Sequence, residues 1–308
     1  MENELNVTYI TLGGFVDMDK YKYLYFSVVF TAFILIIWFN VTIICLIWIH
    51  RNLHEPMYIF IAALLLNSVL YSTNIYPKLL VDFLSEKQII SYSACLFQFF
   101  IIYSLVASEF LLLTAMSYDR YVSICKPLQY STIMRRRTVS IILVLAWLVP
   151  ACEISILVIL SADMKLCNLT LNGISCNNAI YSLHCENSKT RSALGVVVLT
   201  ITALLPLHFI LFTYTRILII SYRSSRNVRR KAAQTCLPHL LVLISFSCLC
   251  AFDVTIVRLG SDFPKTVHFI ISLQTIFYHP LFNPIIYGLK MKEISKHLKK
   301  LFCGTKIM

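Results

Sequence analysis

The stretch Met116-Ser117-Tyr118-Asp119-Arg120-Tyr121-Val122-Ser123-Ile124-Cys125-Lys126-Pro127-Leu128 decides how the rest of this chain is read. It closes a long apolar run, 93–118, with an acid and a base side by side. Charge at a membrane edge is costly unless it is held there for switching, so the triad Asp119-Arg120-Tyr121 marks one face of a bilayer. Two apolar runs precede this one, 24–49 and 57–84, and four follow, 138–160, 192–220, 237–259 and 266–289. Each is long enough to cross a hydrocarbon core of roughly 30 Å as a helix. The expected fold is all-α: a seven-transmembrane helix bundle over 24–289, a short outer segment over 1–23 and a tail over 290–308. Nothing before Tyr23 has the form of a cleavable signal peptide, so the first run is expected to be its own insertion signal.

Composition supports the membrane. The 308 residues are 58% hydrophobic and 14% charged, more apolar surface than one soluble core of this size can hide. Lipid, by contrast, accepts helices that are apolar all round. The net charge of +12 is unevenly placed. Lys126, Arg135, Arg136 and Arg137 lie between the third and fourth runs, and Arg223, Arg226, Arg229, Arg230 and Lys231 between the fifth and sixth. The tail adds Lys290, Lys292, Lys296, Lys299, Lys300 and Lys306. Seven crossings put all of these on one side, and the positive-inside rule makes that side the cytosol and leaves the N-terminus extracellular. Charge split among membrane-edge loops points to anionic membrane lipids and a cytosolic partner, not to nucleic acid.

The eleven cysteines sort by position. Cys95, Cys167, Cys176 and Cys185 fall outside, where four thiols can make two disulfides in any of three connectivities. Cys45, Cys125, Cys152, Cys236, Cys248 and Cys250 lie in spans or at the cytosolic edge and read as small buried apolar residues. Sequons at Asn6-Val7-Thr8 and Asn168-Leu169-Thr170 also fall outside, whereas Asn40-Val41-Thr42 lies inside a span, where no sugar can be added. After the seventh run, Leu289, Ile294, Leu298, Leu301 and Phe302 alternate with lysines, the pattern of an amphipathic helix on the inner leaflet. Cys303 follows as a candidate for palmitoylation.

Asn40, Asn67, Ser68, Glu109, His239 and Asn283 are polar groups at bilayer depth, which should face the bundle and find partners. Glu109 lies eleven residues before Arg120, about three helical turns deeper. It reads either as a cation or proton site or as a protonated carboxyl hydrogen-bonded to Ser or Asn. Asn283-Pro284 should kink the seventh helix, with Asn283 bonding the backbone groups that proline frees. Pro206 and Pro280 read as plain kinks, and Pro238 beside His239 as a hinge.

Five strings in order carry a family resemblance. They are Leu53-His54-Glu55-Pro56-Met57-Tyr58, the Met116–Leu128 stretch, Thr213-Tyr214-Thr215-Arg216-Ile217-Leu218, Lys231-Ala232-Ala233-Gln234-Thr235-Cys236-Leu237-Pro238-His239-Leu240, and Pro280-Leu281-Phe282-Asn283-Pro284-Ile285-Ile286-Tyr287. With the loop of three cysteines, they make the chain resemble a rhodopsin-like G-protein-coupled receptor, and more narrowly an odorant receptor, over about 6–302. The resemblance implies that Cys95 pairs with Cys176, leaving Cys167 with Cys185, and that Asn6 carries a sugar. It implies that Arg120 pairs with Asp119 at rest and reaches toward a G protein when active, with Tyr214 and Tyr287 rearranging alongside. It matches Glu109 to the acidic residue of the family's sodium site. Two places depart from the pattern. Asn67-Ser68 stands where an Asp is usual in the second span, which removes a carboxylate from the sodium site, and Phe246-Ser247-Cys248 replaces an aromatic-Gly-Thr string in the sixth. The chain thus resembles a divergent, fish-type branch.

The implied function is a small-molecule odorant bound in the outer half of the bundle and a stimulatory heterotrimeric G protein engaged at the plasma membrane's inner face. Counting outward from Arg120 puts Ile102, Tyr103 and Val106 on one helical face. Val198 and Thr202 lie at matching depth in the fifth run, and Ser247, Cys250, Ala251 and Val254 in the sixth. This lining suits a small molecule of moderate polarity. Arg258, about one turn higher, reads as a carboxylate binder or as an interfacial cation paired with Asp253 or Asp262. Arg120, Arg216 and Lys231 would line the inner cleft. His184-Cys185-Glu186 is weak as a metal site, because a disulfide at Cys185 removes the thiol ligand. No metal or cofactor is expected. No nucleophile–base constellation or HExxH pattern supports an enzyme. No repeat symmetry or broken helix supports a transporter. A non-olfactory receptor of the same class, for a small metabolite or lipid, is the alternative.

Overall fold

The computed structural model describes residues 8–185, 189–222, 236–237, 239–251 and 264–303, without the side chains of Lys189, Ser192, Phe302 and Cys303. Asn6, the 223–231 basic run, Pro238, Asp253, Val254, Arg258 and Asp262 lie outside the described residues, as does the Cys303 side chain.

The helices follow the apolar runs. They are α1 (Met18–Ile49), α2 (Pro56–Leu84), α3 (Tyr92–Cys125), α4 (Arg136–Ala162), α5, α6 (His239–Ala251), α7 (Lys265–Lys290) and α8 (Lys292–Cys303). The fifth, α5, runs through Lys189–Leu199, a π turn at Thr200–Leu204, and Leu205–Tyr222. Six of them have the length and composition to cross a membrane, and α6 is a shorter apolar helix. The chain is a multi-pass, all-α membrane protein of the seven-helix bundle class. Pro56 opens α2, where a missing N–H costs nothing. Ser91 caps α3 by accepting from the Ala94 N–H at 3.3 Å.

Two boundaries differ from the hydropathy reading. α1 begins at Met18, ahead of 24, and α3 continues through Cys125, beyond 118. Hydropathy fades where a helix leaves the lipid, but the backbone ladder does not need to stop there.

Burial sets the order of the bundle. In α3, 67% of the spanning window is buried, against 22% in α4 and 17% in α5. The third helix is therefore the axis, and the flanking helices turn Leu148, Ile156, Phe212 and Leu218 outward, as lipid permits. Cys45, Cys152 and Cys248 also face outward, which corrects the expectation that they are buried. An apolar environment is available to them on either face of a membrane helix.

The prolines of α7 are answered by other helices. Pro284 has no N–H for the Pro280 carbonyl, and Asn40 of α1 donates to that oxygen at 2.8 Å. Pro280 likewise frees the Ile276 carbonyl, and the Tyr76 hydroxyl of α2 donates to it at 3.4 Å. The expectation that Asn283 would serve the freed groups is therefore corrected. Its own amide points sideways, out of its helix, while Asn40 reaches the carbonyl from across the interface.

A small sheet caps the outer end: β1 (Tyr9–Leu12), β2 (Ile89–Ser91) and β3 (Thr170–Leu171), in the order β2-β1-β3. Ile10 opposes Ile90 in an antiparallel pair, and Thr11 lies beside Thr170 in a parallel one. Ile10, Leu12, Ile90 and Leu171 seal an apolar cluster with Cys95, Cys176 and Ile180. Gly14 is fixed by this cap, since a Cβ there would come within 2.6 Å of the Gly173 backbone. No strand was legible in the sequence, because runs of two to four residues are too short to show alternation.

Candidate functional site

Polar side chains gather at three depths along α3. At the inner end, Asp119 is fully buried and Arg120 pairs with it through Nε, at 3.1 Å, and Nη2. The other oxygen, Oδ1, accepts from the Tyr130 hydroxyl at 2.8 Å. Tyr130 stands on a single helical turn, Tyr130–Ile133, after α3. Burial, then the Asp119 charge, raises its phenol above the usual tyrosine range. The carboxylate thus holds α3 to the loop that follows it. Tyr121 packs against the main core.

Tyr214 of α5, His239 of α6 and Tyr287 of α7 are buried nearby, and the rings of His239 and Tyr287 lie 5.6 Å apart. Among the described residues, neither the two hydroxyls nor either His239 nitrogen has a hydrogen-bond partner. Buried polar groups without a protein partner are costly to hold.

Midway along α3 lies a second polar group. Glu109 Oε1 accepts from Asn283 Nδ2 at 3.0 Å, and the same amide reaches Ser68 Oγ at 3.5 Å. His279, one helical turn before Asn283, faces Glu109 Oε1 with Nδ1 at 3.7 Å. All four are buried: Ser68 is 2% exposed, Glu109 6%, His279 7% and Asn283 1%. His279 was missed in the sequence reading. Its signal was available, since an imidazole just before Pro280 inside an apolar run is a costly residue. Beside this group, Asn67 accepts from Trp147 Nε1 at 3.2 Å and donates to the Leu105 carbonyl at 3.0 Å, joining α2, α3 and α4.

The outer half of α3 carries the expected pocket residues. Tyr103 accepts from the Asn178 backbone N–H at 3.0 Å and stacks near Phe99, so the outer loop closes over it. Tyr103 and Val198 pack against the same outer cluster. Val106 bridges the inner and outer cores, and Ile102 instead joins Ile174, Phe269 and Ile276 on the side of α2 and α7. Thr202 is buried on the π turn of α5, a local widening that often marks functional positions. Ser247 has a buried hydroxyl without a partner among the described residues, Cys250 is half-buried, and Ala251 is exposed. The structure therefore brings Tyr103 and Val198 to one cluster and Ile102, Tyr103 and Val106 to another, so that Tyr103 joins the two, and leaves Ala251 exposed.

Above this level, Cys95 is bonded to Cys176 and Cys167 to Cys185. His184 lies between Tyr92, whose hydroxyl is 2.8 Å from Nε2, and Arg191, whose Nη1 is 2.7 Å from Nδ1. Tyr92 donates to the Ser161 carbonyl at 2.7 Å, so its oxygen accepts from Nε2–H and leaves Nδ1 to accept from Arg191. Burial, then the Arg191 charge, lowers the His184 pKa to about 4. Asn168 is exposed beside β3. Among the described residues no group of His, Cys, Asp and Glu could hold a metal ion.

Comparison with known proteins agrees with this architecture. The family profile described as "Olfactory receptor" matches residues 27–305. Human olfactory receptor 11A1 is 33% identical over 306 residues, covering 96% of this chain and 94% of the relative. Human olfactory receptor 2T2 is 31% identical over 97% of this chain and 94% of its own length, and human olfactory receptor 6K3 is 31% identical over 99% and 92%. Matches of that extent place the chain in the olfactory receptor family: it is an odorant receptor, of a class whose general property is coupling to G proteins.

Proposed function

We propose that this receptor binds a small odorant between α3, α5 and α6 in its outer half and activates a stimulatory heterotrimeric G protein, raising cyclic AMP. The observation that carries the reading is the continuity of α3 from Tyr103 to Arg120. One buried helix touches the loop-covered pocket at one end and holds a breakable ion pair at the other. A ligand shifts this bundle only if it prefers the active arrangement to the resting one. Tyr103, Val106, Val198, Thr202, Ser247 and Cys250 offer mostly apolar contact with a few hydroxyls, which suits a molecule of moderate polarity. When α6 moves outward, Arg120 is freed from Asp119, and the unpartnered polar ends of Tyr214, His239 and Tyr287 gain new neighbours. Arg120 and Arg216 then face a cleft that takes the C-terminal helix of a G-protein α-subunit, a helix-in-groove contact.

The orientation follows the positive-inside rule: N-terminus outside the plasma membrane, tail in the cytosol. Sugars at Asn6 and Asn168 and the paired cysteines fit the oxidising side. The lysine-studded α8 fits the inner leaflet, with Cys303 available for acylation.

The test uses a cyclic-AMP readout and an odorant panel that activates the wild type. Arg120→Ala is expected to abolish the stimulated signal while surface glycosylation stays intact. Normal signalling by that variant would refute the assigned role.

A further inference from the structure

Membership of this family implies a cation beside Glu109, and the residues around that carboxylate do not fit one. A hard cation takes about six oxygen atoms directed at one point. Here one nitrogen donor, the Asn283 amide, is directed at the carboxyl instead, and an imidazole occupies the space beside it. A carboxylate oxygen and a hydroxyl lone pair both call for N–H, so the Asn283 amide presents its nitrogen to Glu109 Oε1 at 3.0 Å and to Ser68 Oγ at 3.5 Å. His279 Nδ1 stands 3.7 Å from the same Oε1, beside the carboxyl but beyond hydrogen-bond distance.

Oxygen groups on the adjoining turns of α2 and α3 are tied into hydrogen bonds of their own. Asn67 Oδ1 accepts from Trp147 at 3.2 Å, and the Ser108 hydroxyl donates to the Ser104 carbonyl at 2.7 Å. The second span contributes Ser68 with no carboxylate beside it. The imidazole is also wedged in place. Phe246 of α6 meets it edge-on at 4.3 Å between ring centres, so His279 lies between the α3 carboxylate and the α6 core.

We propose that His279 and Asn283 take the place of the cation, so that the polar centre of this receptor is built to work without sodium. The α3–α7 contact that an ion would bridge is made directly by the Asn283 amide on the Glu109 carboxyl, with the His279 imidazole packed beside it. Sodium then has no resting-state site whose occupancy the receptor must lose on activation. This inference does not depend on the ligand or the G protein proposed above, and its test needs neither.

The purified full-length receptor in nanodiscs would be melted in sodium chloride and in choline chloride, each at about 0.15 M. The wild type is expected to melt at the same temperature in both, within about 1 °C. The double variant Ser68→Asp/His279→Asn supplies a second carboxylate and an amide oxygen, and is expected to gain a sodium-specific rise of about 3 °C, as a ligand bound only by the folded state produces. A saturable sodium-specific rise in the wild type would overturn the proposal. So would a folded double variant that stays flat, because the donors would then not be what excludes the ion. Should the double variant not fold, sodium NMR on the wild type decides. Unchanged linewidth on adding receptor supports the inference, and saturable broadening refutes it.

Discussion

The two ends of this bundle are secured differently. The outer end is stapled: two disulfides, a three-stranded sheet and the Tyr92–His184–Arg191 chain lock the loops onto α3 and α5. At the inner end, among the described residues, Asp119 is held by one ion pair and one phenol hydrogen bond. Covalent links and backbone pairing do not rearrange on the timescale of signalling, whereas a single ion pair can exchange partners. The contrast suits the function proposed above: the end assigned to the odorant is preorganised, and the end assigned to the G protein is held by contacts that a few kcal/mol can exchange.

The strongest way to break this comparison is to cut the outer staple. Cys95→Ser and Cys176→Ser are each expected to reduce surface staining to below about a tenth of wild type, since losing such a bond costs roughly 2–5 kcal/mol. The double variant should be no worse, and additive losses would show that the two act separately. Cys167→Ser should cost less, because that bond closes a separation of 18 residues where the other closes 81.

A smaller effect sharpens the comparison at the same end. His184 has its folded pKa lowered from 6.5 to about 4 by burial and then by Arg191. Between those values the unfolded chain takes a proton that the folded one refuses. The stabilisation is therefore complete above 6.5 and is lost as pH falls toward 4. Melting of the purified receptor should drop by roughly 5 °C across that window, and His184→Gln should remove much of the drop. An identical slope in the variant would exclude His184 as the cause. Tyr181, whose ring lies under Arg191 at 4.8 Å, keeps the guanidinium near the imidazole throughout.

The smallest change concerns the inner end. Tyr130→Phe removes one hydrogen bond to Asp119, a loss of about 1 kcal/mol, and should raise basal cyclic AMP about fivefold at equal surface expression. Unchanged basal signal would mean that the phenol does not hold the resting state.

Much of the machinery was legible before any coordinates. Asp119-Arg120-Tyr121 and Asn283-Pro284 announce themselves because charge, amide and proline are expensive in lipid and stand out from an apolar background. The partners of those groups did not. Tyr130 looked like one aromatic among many, and His279 was hidden beside a kink-forming proline. Asn40 read as a polar residue without an assignment, yet it answers the carbonyl freed by Pro284. The sheet gave no signal at all, since its strands form only where the N-terminal segment and two loops converge.

The sequence by itself determined the series of apolar spans and the family, because hydrophobic length and motif order are properties of the chain read along one line. Only the tertiary structure decided which buried polar group answers which. A hydrogen bond in lipid depends on what two helices bring within about 3 Å of each other, and residues 240 apart, such as Asn40 and Pro280, carry no mark of that meeting.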